Sequence, residues 1–450
     1  MNADKQKFIG VHSRSAAAQT HLLRILGVGF GLAVIIGNTI GAGIFRAPGT
    51  IAEQLPAPTP FLLVWLAGGL YAMLGAISLA ELGTMVPRSG GQYVFARYAL
   101  GEYAGFIVGW SDWISSCGST AAVSLLIGTF AGALIPALAG HANRVALAVA
   151  VVFAVLQWRG IVWGSNVQNL TSLLKALAFL ALIVAGFVFG GGGALTTSQP
   201  HPTSAITLAA VVVSLQAAIY TYDGWNGVIY FSEEVKDSDR NIPRALFGGV
   251  LTITAIYLLV NVALLYVLPM SRIAGKEFAA GEAATVMFGA HGDTIFRVLT
   301  IVSMLSGINA LHLMATRVVF AMSRDGLFSR RVAVVNEGGT PVLALNLSLL
   351  VAVAFILFGE KFETVITVLA FFFVVNYILS FVSLFVLRWR EPETPRPYRA
   401  WGYPVTPALA LIGSLLFLAG AIRSDTRNSI YALLLLAVSY PVFRLLKLWS

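Results

Sequence analysis

Two segments of this sequence interrupt long apolar runs with glycine and polar residues, and together they have the groups that bind a small zwitterion. The first reads IIGNTIGAGIF over residues 35–45, and the second reads IYTYDGWNG over residues 219–227. Glycine weakens a helix interior by about 1 kcal/mol relative to alanine, so each segment predicts a broken helix. A break exposes N–H groups that attract a carboxylate and carbonyl groups that attract an ammonium. An amino acid carries both a carboxylate and an ammonium.

The composition indicates what kind of protein must position these segments. Of the 450 residues, 58% are hydrophobic and 11% are charged, whereas a soluble domain has about 25% charged residues. So few charges cannot cover the surface of a soluble enzyme, and so high an apolar content excludes a disordered chain. The sequence therefore predicts a polytopic membrane protein.

An all-α fold with twelve transmembrane helices follows from the stretches that lack Lys, Arg, Asp and Glu. A spanning helix needs about 20 mostly apolar residues. The stretch 176–222 is too long for one helix, and a loop rich in glycine and proline, 190–204, divides it into two. The stretches, which make twelve spans numbered in chain order, are 25–45, 54–80, 113–143, 145–158, 176–222, 245–271, 298–316, 338–359, 364–387, 400–422 and 428–443.

Basic residues are distributed unequally between the ends of these spans. With the N-terminus placed in the cytoplasm, 20 of the 29 Lys and Arg residues lie at inner ends, 8 lie at outer ends, and Lys175 lies within span 5. The positive-inside rule therefore predicts that both termini are cytoplasmic. Residues 1–24 are polar and lack a cleavage site of small residues, so we expect a cytoplasmic tail rather than a signal peptide.

The positions of the two broken helices predict an inverted repeat. They are spans 1 and 6, and a repeat unit of five spans reverses the orientation of the second copy in the membrane. Paired glycine-interrupted spans in two halves are typical of a transporter binding site. For Gly41-Ala42-Gly43 alone, close packing between helices is the alternative, since small residues also favour it.

Four ordered motifs resemble those of the amino acid–polyamine–organocation (APC) superfamily, and most closely its L-type amino acid transporter branch. They cover residues 20–390 approximately. The motifs are Ile36–Phe45 in span 1, Ala80–Tyr93 after span 2, Tyr220–Asn226 with Glu233-Glu234 and Arg240–Arg244 from span 6, and Ser323–Gly326 with Thr340–Val342 after span 8.

The resemblance implies the leucine-transporter (LeuT) fold, in which two inverted repeats of five helices contain discontinuous helices 1 and 6. The first repeat would occupy residues 25–192 and the second residues 205–390. Residues 400–450 would form helices 11 and 12 with a short cytoplasmic C-terminus.

The resemblance also implies the substrate-binding residues. The backbone N–H groups of Ala42 and Gly43 would hold the substrate carboxylate, and Gly41 would permit its approach. The nine residues expected at the two breaks are Thr39, Gly41, Ala42, Gly43, Tyr220, Asp223, Gly224, Trp225 and Asn226.

The other end of the substrate is assigned in the same way. The carbonyl groups of Thr39, Tyr220 and Asp223 would hold the α-amine. The Tyr220 ring would close over the substrate as a gate, and Trp225 and Asn226 would line or brace the second break.

Lys175 is a charged residue deep in span 5, where a charge costs about 2.5–3.5 kcal/mol on insertion scales. The residue is too far from the interface for its side chain to reach it easily. The resemblance implies that its ammonium replaces a sodium ion and bridges spans 1 and 8 near Ser303 and Ser306. It would serve as a fixed cation or as a proton carrier.

Asp223 departs from the resemblance, because a small residue usually stands at this point of helix 6. Three roles remain open for its carboxylate. It can bind a cationic side chain of the substrate, titrate in proton coupling, or cap a half-helix that begins at Gly224.

Four charged residues are expected on the cytoplasmic side. Glu81 would pair there with basic residues. Glu233 and Glu234 would form ion pairs of an inner gate, and Arg88 belongs to the same side.

The remaining expectations are absences. No histidine, cysteine or carboxylate spacing matches a metal site, and no motif indicates a cofactor, ATP hydrolysis or catalysis. The single Cys117 lies within span 3, where a thiol usually packs among apolar residues. No disulfide-linked accessory subunit and no nucleic-acid partner are expected.

The sequence therefore predicts a secondary amino acid transporter in a membrane, not an enzyme. The expected activity is sodium-independent exchange or proton-coupled uptake of neutral L-amino acids in the inner (plasma) membrane of a bacterium. The alternatives are a cationic amino acid or polyamine transporter that uses Asp223, and a membrane sensor that binds amino acids without moving them. The preferred amino acid and the oligomeric state do not follow from the sequence.

Overall fold

The computed structural model describes residues 22–191, 206–358, 362–424 and 426–449, and these residues are mostly helical. Among them there is no strand, and one isolated bridge joins Leu26 to Val235. The expected tail at 1–24 therefore lies mostly outside the described residues, as does most of the loop between the expected repeats.

Sixteen α-helices are described in these residues. In chain order they are α1 (Val28–Thr39), α2 (Gly43–Gln54), α3 (Pro58–Met85), α4 (Gln92–Leu100), α5 (Glu102–Leu134), α6 (Ala142–Trp158), α7 (Ile161–Phe189), α8 (Leu208–Tyr222), α9 (Ser238–Val267), α10 (Met270–Ile273), α11 (Ala279–Phe288), α12 (Gly292–Arg324), α13 (Val342–Phe358), α14 (Phe362–Arg390), α15 (Val405–Ser424) and α16 (Thr426–Trp449).

Eight of the described helical segments are long and apolar enough to cross a membrane, and the bent pair of α1 and α2 makes a possible ninth. The shorter apolar helices α6 and α13 fall below that length. Every predicted span overlaps a helix of the structure. The all-helical, multi-span architecture is confirmed, whereas the count of twelve remains a prediction.

The first expected break lies between α1 and α2. Helix α1 ends at Thr39, and α2 begins at Gly43 after an N-cap at Ala42. The two axes differ in direction by 49°. The residues between them therefore leave the helical hydrogen-bond pattern in the middle of an apolar segment, as the glycines predict.

The second break follows α8. Asp223 is the C-cap of α8, Gly224 has φ +104°, and the next helical segment is a short 3-10 helix, Gly227–Phe231, with Asn226 at its N-cap. No helix begins at Gly224 in the described structure, so capping, one of the three roles left open for Asp223, has no half-helix there to act on. Glycine is needed there because a Cβ atom at residue 224 would lie 2.7 Å from the Asn38 side chain, where the two breaks meet.

Helices α1 and α5 pack against most of the helices around these breaks. Helix α5 packs against α4, α6, α12 and α14, and α1 packs against α7, α9 and α12. Polar side chains fix α1 to α7, since Gln168 and Ser172 donate to the Ala33 carbonyl at 3.1 and 2.7 Å. The Gln168 and Ser172 donors thus both meet an acceptor, as the low-dielectric interior favours.

Helix α2 also packs closely on the segment before α11. The Gly275 N–H donates to the Gly49 carbonyl at 3.0 Å, and a Cβ atom at residue 49 would lie 1.9 Å from the Lys276 carbonyl oxygen. No side chain fits at residue 49 unless the backbone moves.

We expect Gly49→Ala to lower the free energy of unfolding by about 1–3 kcal/mol, the usual cost of overpacking. Gly29→Ala is the matched control, because nothing lies within 4 Å of its added Cβ atom. The midpoint of thermal unfolding of the purified protein in detergent measures both. Equal midpoints for the two variants would contradict the close contact at Gly49.

Candidate functional site

A cavity of about 120 Å³ lies between the two breaks and helix α5. Six of the nine expected substrate residues line it, and they are Thr39, Gly41, Ala42, Tyr220, Asp223 and Asn226. This volume holds several water molecules or a small organic molecule. The two segments that the sequence singled out therefore meet at one cavity.

The other three expected residues lie directly behind this lining. Gly43 packs on Thr221, since a Cβ atom at residue 43 would lie 3.1 Å from that side chain. Gly224 lies against Asn38, and Trp225 is buried and stacks on the Tyr377 ring at a centroid distance of 5.3 Å. These residues shape the breaks.

The start of α2 has the features of an anion site. It has no side-chain cap and no acidic residue in its first turn. The first N–H groups of a helix have no partner within the helix, and they carry its positive dipole end. A carboxylate in the cavity beside Gly41 and Ala42 would accept from them.

The end of α1 presents carbonyl groups, and Tyr257 connects them to α8. The Tyr257 hydroxyl lies 2.9 Å from the carbonyl oxygens of both Thr39 and Thr221. The Tyr220 carbonyl accepts from the Asp223 N–H at 3.1 Å. Sequence reasoning missed Tyr257, although a tyrosine in the middle of an apolar span is a signal of a buried hydrogen bond.

Two carboxylates line the cavity, and each accepts from a tyrosine. Asp223 Oδ1 accepts from the Tyr377 hydroxyl at 2.5 Å. Asp112, on α5, accepts from the Tyr230 hydroxyl at 2.9 Å to Oδ1 and 2.8 Å to Oδ2. Sequence reasoning gave no role to Asp112, which directly precedes the uncharged stretch 113–143. The structure buries it at 2% exposure.

Lys175 lies on α7 with its side chain fully buried. Its ammonium donates to the carbonyl groups of Gly37, at 2.7 Å, and Ile40. Ser303 donates to the Ile40 carbonyl at 3.2 Å, and Ser306 lies 3.5 Å from the Gly37 carbonyl. The residues expected to replace a sodium ion are thus together at the break in the first span.

Ion pairs join the segment after α8 to helix α12. Glu234 and Arg317 are both buried, with two N–O distances of 3.0 and 2.9 Å. Glu233 accepts from Arg324 at 2.6 Å. The Leu26 N–H donates to the Glu234 carbonyl at 2.9 Å, so these ion pairs lie at the end of the bundle where α1 begins.

Two further expected residues, Arg88 and Glu81, take part in separate contacts. Arg88 pairs with Asp325 at 2.9 Å. Glu81, fully buried on α3, accepts from Arg388 and from the Ala400 N–H, both at 2.7 Å, and Arg396 lies 2.9 Å away. Glu81 therefore fixes α3 to the end of α14 rather than joining the contacts of Glu233 and Glu234.

Within the described residues there is no group of three or more His, Cys, Asp or Glu side chains that could hold a metal ion. Cys117 is buried in α5 at 1% exposure.

Removing one partner of the Glu234–Arg317 ion pair would leave a buried charge without its counter-charge. We expect Glu234→Gln to reduce the free energy of unfolding by about 3–5 kcal/mol. The double variant Glu234→Leu with Arg317→Met should recover most of that loss, because it removes both charges. The thermal midpoint in detergent measures these changes.

The control is Glu282→Gln in the exposed pair with Arg272, where a cost below about 1 kcal/mol is expected. A midpoint for Glu234→Gln as high as that of this control would show that the buried pair contributes little.

The chain matches known transporters over nearly its whole length. The family model for amino acid permeases matches residues 31–440. The chain is 30% identical to the serine/threonine exchanger SteT of Bacillus subtilis, over 94% of this chain and 96% of the relative. It is 27% identical to the mouse Asc-type amino acid transporter 1, over 96% of this chain and 83% of the relative. It is 28% identical to the mouse large neutral amino acids transporter small subunit 2, over 81% of this chain and 70% of the relative.

The family and these relatives are transporters and not enzymes. With the apolar helices, they identify an integral, multi-pass membrane protein that transports amino acids. The chain belongs to the amino acid permease family of the APC superfamily.

Proposed function

We propose that this protein is a sodium-independent secondary transporter of L-amino acids that works by alternating access, with neutral amino acids as its first substrates. The observation that carries the proposal is the cavity where the two broken helices meet. The start of α2 would bind the substrate carboxylate, and the carbonyl groups of Thr39, Tyr220 and Asp223 would bind its amine.

Lys175 supports the absence of a sodium requirement. Its ammonium is bonded to Gly37 and Ile40, the carbonyl groups that a cation at this break would use. A fixed cation of this kind stabilises the broken backbone, which is tolerated in a membrane only where its polar groups have partners. A sodium ion would then have neither the space nor the ligands.

The proposed architecture is the LeuT fold with twelve spans and the inverted repeats predicted from the sequence. Spans 1, 2, 6 and 7 would move against spans 3, 4, 8 and 9 around the cavity. The ion pairs of Glu233, Glu234 and Arg88 would then close the cytoplasmic end. Both termini would be cytoplasmic, in a bacterial inner membrane.

Neutral substrates and exchange are proposed because two of the relatives are called a serine/threonine exchanger and a large neutral amino acids transporter. The burial of Cys117 supports function without a disulfide-linked subunit.

An uptake panel in proteoliposomes tests this proposal. Radiolabelled L-serine, L-leucine, L-lysine and L-glutamate would be supplied with and without sodium, a proton gradient and unlabelled internal amino acid. We expect uptake of neutral amino acids that does not change when choline replaces sodium and that increases with internal substrate. Tight binding with no uptake of any amino acid would favour a sensor instead.

We expect Lys175→Met to reduce exchange of neutral amino acids by at least about tenfold, because the carbonyl groups at the break lose a charge-assisted donor. Methionine retains most of the side-chain volume, so the change tests the charge. Lys276→Met removes an exposed lysine and is the control. Normal exchange by Lys175→Met would remove the basis for Lys175 as a substitute for sodium.

A further inference from the structure

A surface outside the cavity has a positive charge that the protein itself does not balance. Lys236, Arg240 and Arg244 are exposed where α9 begins, and the two arginines are four residues apart on that helix. Side chains at this spacing lie on one face of a helix. In the residues that the structure describes, none of these three side chains has an ion pair or a hydrogen bond. The start of α9 therefore presents an unpaired basic face.

Other arginines at this end of the bundle are paired. The Lys236 N–H donates to the Leu26 carbonyl at 2.8 Å, which places the start of α9 beside the start of α1. The carboxylates of Glu81, Glu233, Glu234 and Asp325 pair with Arg88, Arg97, Arg317, Arg324, Arg388 and Arg396. The exposed Asp237 and Asp239 form no ion pair within the described part of the chain. A counter-charge for the basic face would therefore come from outside the protein.

The loop between α14 and α15 adds a third arginine to this surface. Phe247, nearly one turn after Arg244, packs on the Tyr398 ring at a centroid distance of 5.6 Å. Arg399 follows Tyr398 and is exposed, and it too has no ion pair among the residues described. The contact between the two rings brings Arg399 beside the basic face of α9. Together, Arg240, Arg244 and Arg399 form an arginine patch.

Buried contacts hold this loop in place. The Ala400 N–H, next to Arg399, donates to the Glu81 carboxylate at 2.7 Å. The buried Arg396 lies 2.9 Å from the same carboxylate and donates to the Thr394 carbonyl at 2.8 Å. Because the backbone on both sides of Arg399 is fixed, little conformational freedom would be lost when its side chain binds an anion.

The surface next to the arginine patch is apolar. Leu251, one turn after Phe247, is 61% exposed on a helix that is long and apolar enough to cross a membrane. Trp401, two residues after Arg399, is 64% exposed, and exposed tryptophan is typical of the interface between membrane and water. A soluble anion would use only the arginines. A phospholipid would use both parts of this surface.

We propose that the arginine patch binds the headgroup of an anionic phospholipid whose acyl chains lie along Leu251. Guanidinium groups bind phosphate oxygens through paired N–H donors, and basic clusters beside a spanning helix attract anionic lipids. The bound lipid would join α9 to the loop before α15. This site is separate from the proposed transport site, because none of the three arginines lines the cavity.

Lipid binding to the purified protein in detergent tests this site. The probes are dioleoyl phosphatidylglycerol, which is anionic, and dioleoyl phosphatidylcholine, which has the same acyl chains and no net charge. Native mass spectrometry measures the affinity for each lipid, and the thermal midpoint measures the stabilisation that binding produces. We expect phosphatidylglycerol to bind more tightly and to raise the midpoint more. Equal binding of the two lipids would overturn the proposal.

The double variant Arg240→Gln with Arg244→Gln tests the residues. We expect it to weaken phosphatidylglycerol binding about 10- to 30-fold, because each basic residue near an anionic lipid contributes about fivefold. Its midpoint without lipid should not change, because both side chains are exposed and unpaired. The matched control is Arg330→Gln with Arg331→Gln, which removes two exposed arginines from the 3-10 helix Arg330–Ala333 after α12. An equal loss in the control would indicate general attraction to basic surface and would overturn a defined site.

Glycerol 3-phosphate, which has the phosphate without acyl chains, tests the assignment to a lipid. We expect it to leave phosphatidylglycerol bound when the two are present at equal concentration. Displacement of the lipid would assign the arginine patch to a soluble phosphate compound instead. None of these measurements uses transport, so a failure here leaves the proposed function in place, and a failure of amino acid uptake leaves this site in place.

Discussion

The contact on which the site depends is the bond between the Lys175 ammonium and the broken backbone of the first span. A break in a membrane helix leaves carbonyl groups without partners, and each such group is costly in a low-dielectric interior. Lys175 donates to two of them, at Gly37 and Ile40, and so stabilises the backbone at the break. An unpaired lysine is itself costly at this depth, so the lysine and the broken backbone stabilise each other.

The second break is held by neutral groups instead. Tyr257 joins the end of α1 to α8 through one hydroxyl. Gly224 allows the two broken segments of the chain to approach each other. The two breaks therefore form one site with different supports. The first is fixed to α7 by the Lys175 ammonium and to α12 by serine hydroxyls, and the second is fixed to α9 and α14 by tyrosines. The Thr39 hydroxyl, which lines the cavity, has no hydrogen-bond partner in the described structure.

The parts of the fold that were predictable are those with a strong local signal. Glycine and polar residues in an apolar run identified both breaks. The position of the charged Lys175 within another apolar run marked it as an unusual residue. The partners of these residues were not predictable from spacing. Asp112 looked like any polar residue of uncertain depth, and only the packing of α5 brings it to the cavity with Tyr230. Tyr257 and Tyr377 depend in the same way on which face of a uniformly apolar helix is turned inward.

Asp223 shows how a helix break can be predicted from the sequence while the role of one residue in it stays open. An aspartate before a glycine resembles a helix cap, but the chain after Gly224 does not resume an α-helix until well beyond the cavity. The carboxylate therefore has no α-helical turn at Gly224 to cap, and it accepts from the Tyr377 hydroxyl.

The most direct test of the account is whether an amino acid occupies the cavity between the breaks. Ser119 lines that cavity, whereas Cys117 is buried in the same helix. In a Cys117→Ala background, the rate at which a small thiol reagent alkylates Ser119→Cys would be measured in sodium-free buffer. The account predicts that L-amino acid substrates slow this reaction and that analogues lacking the α-amine do not. An alkylation rate that no amino acid changes would contradict it.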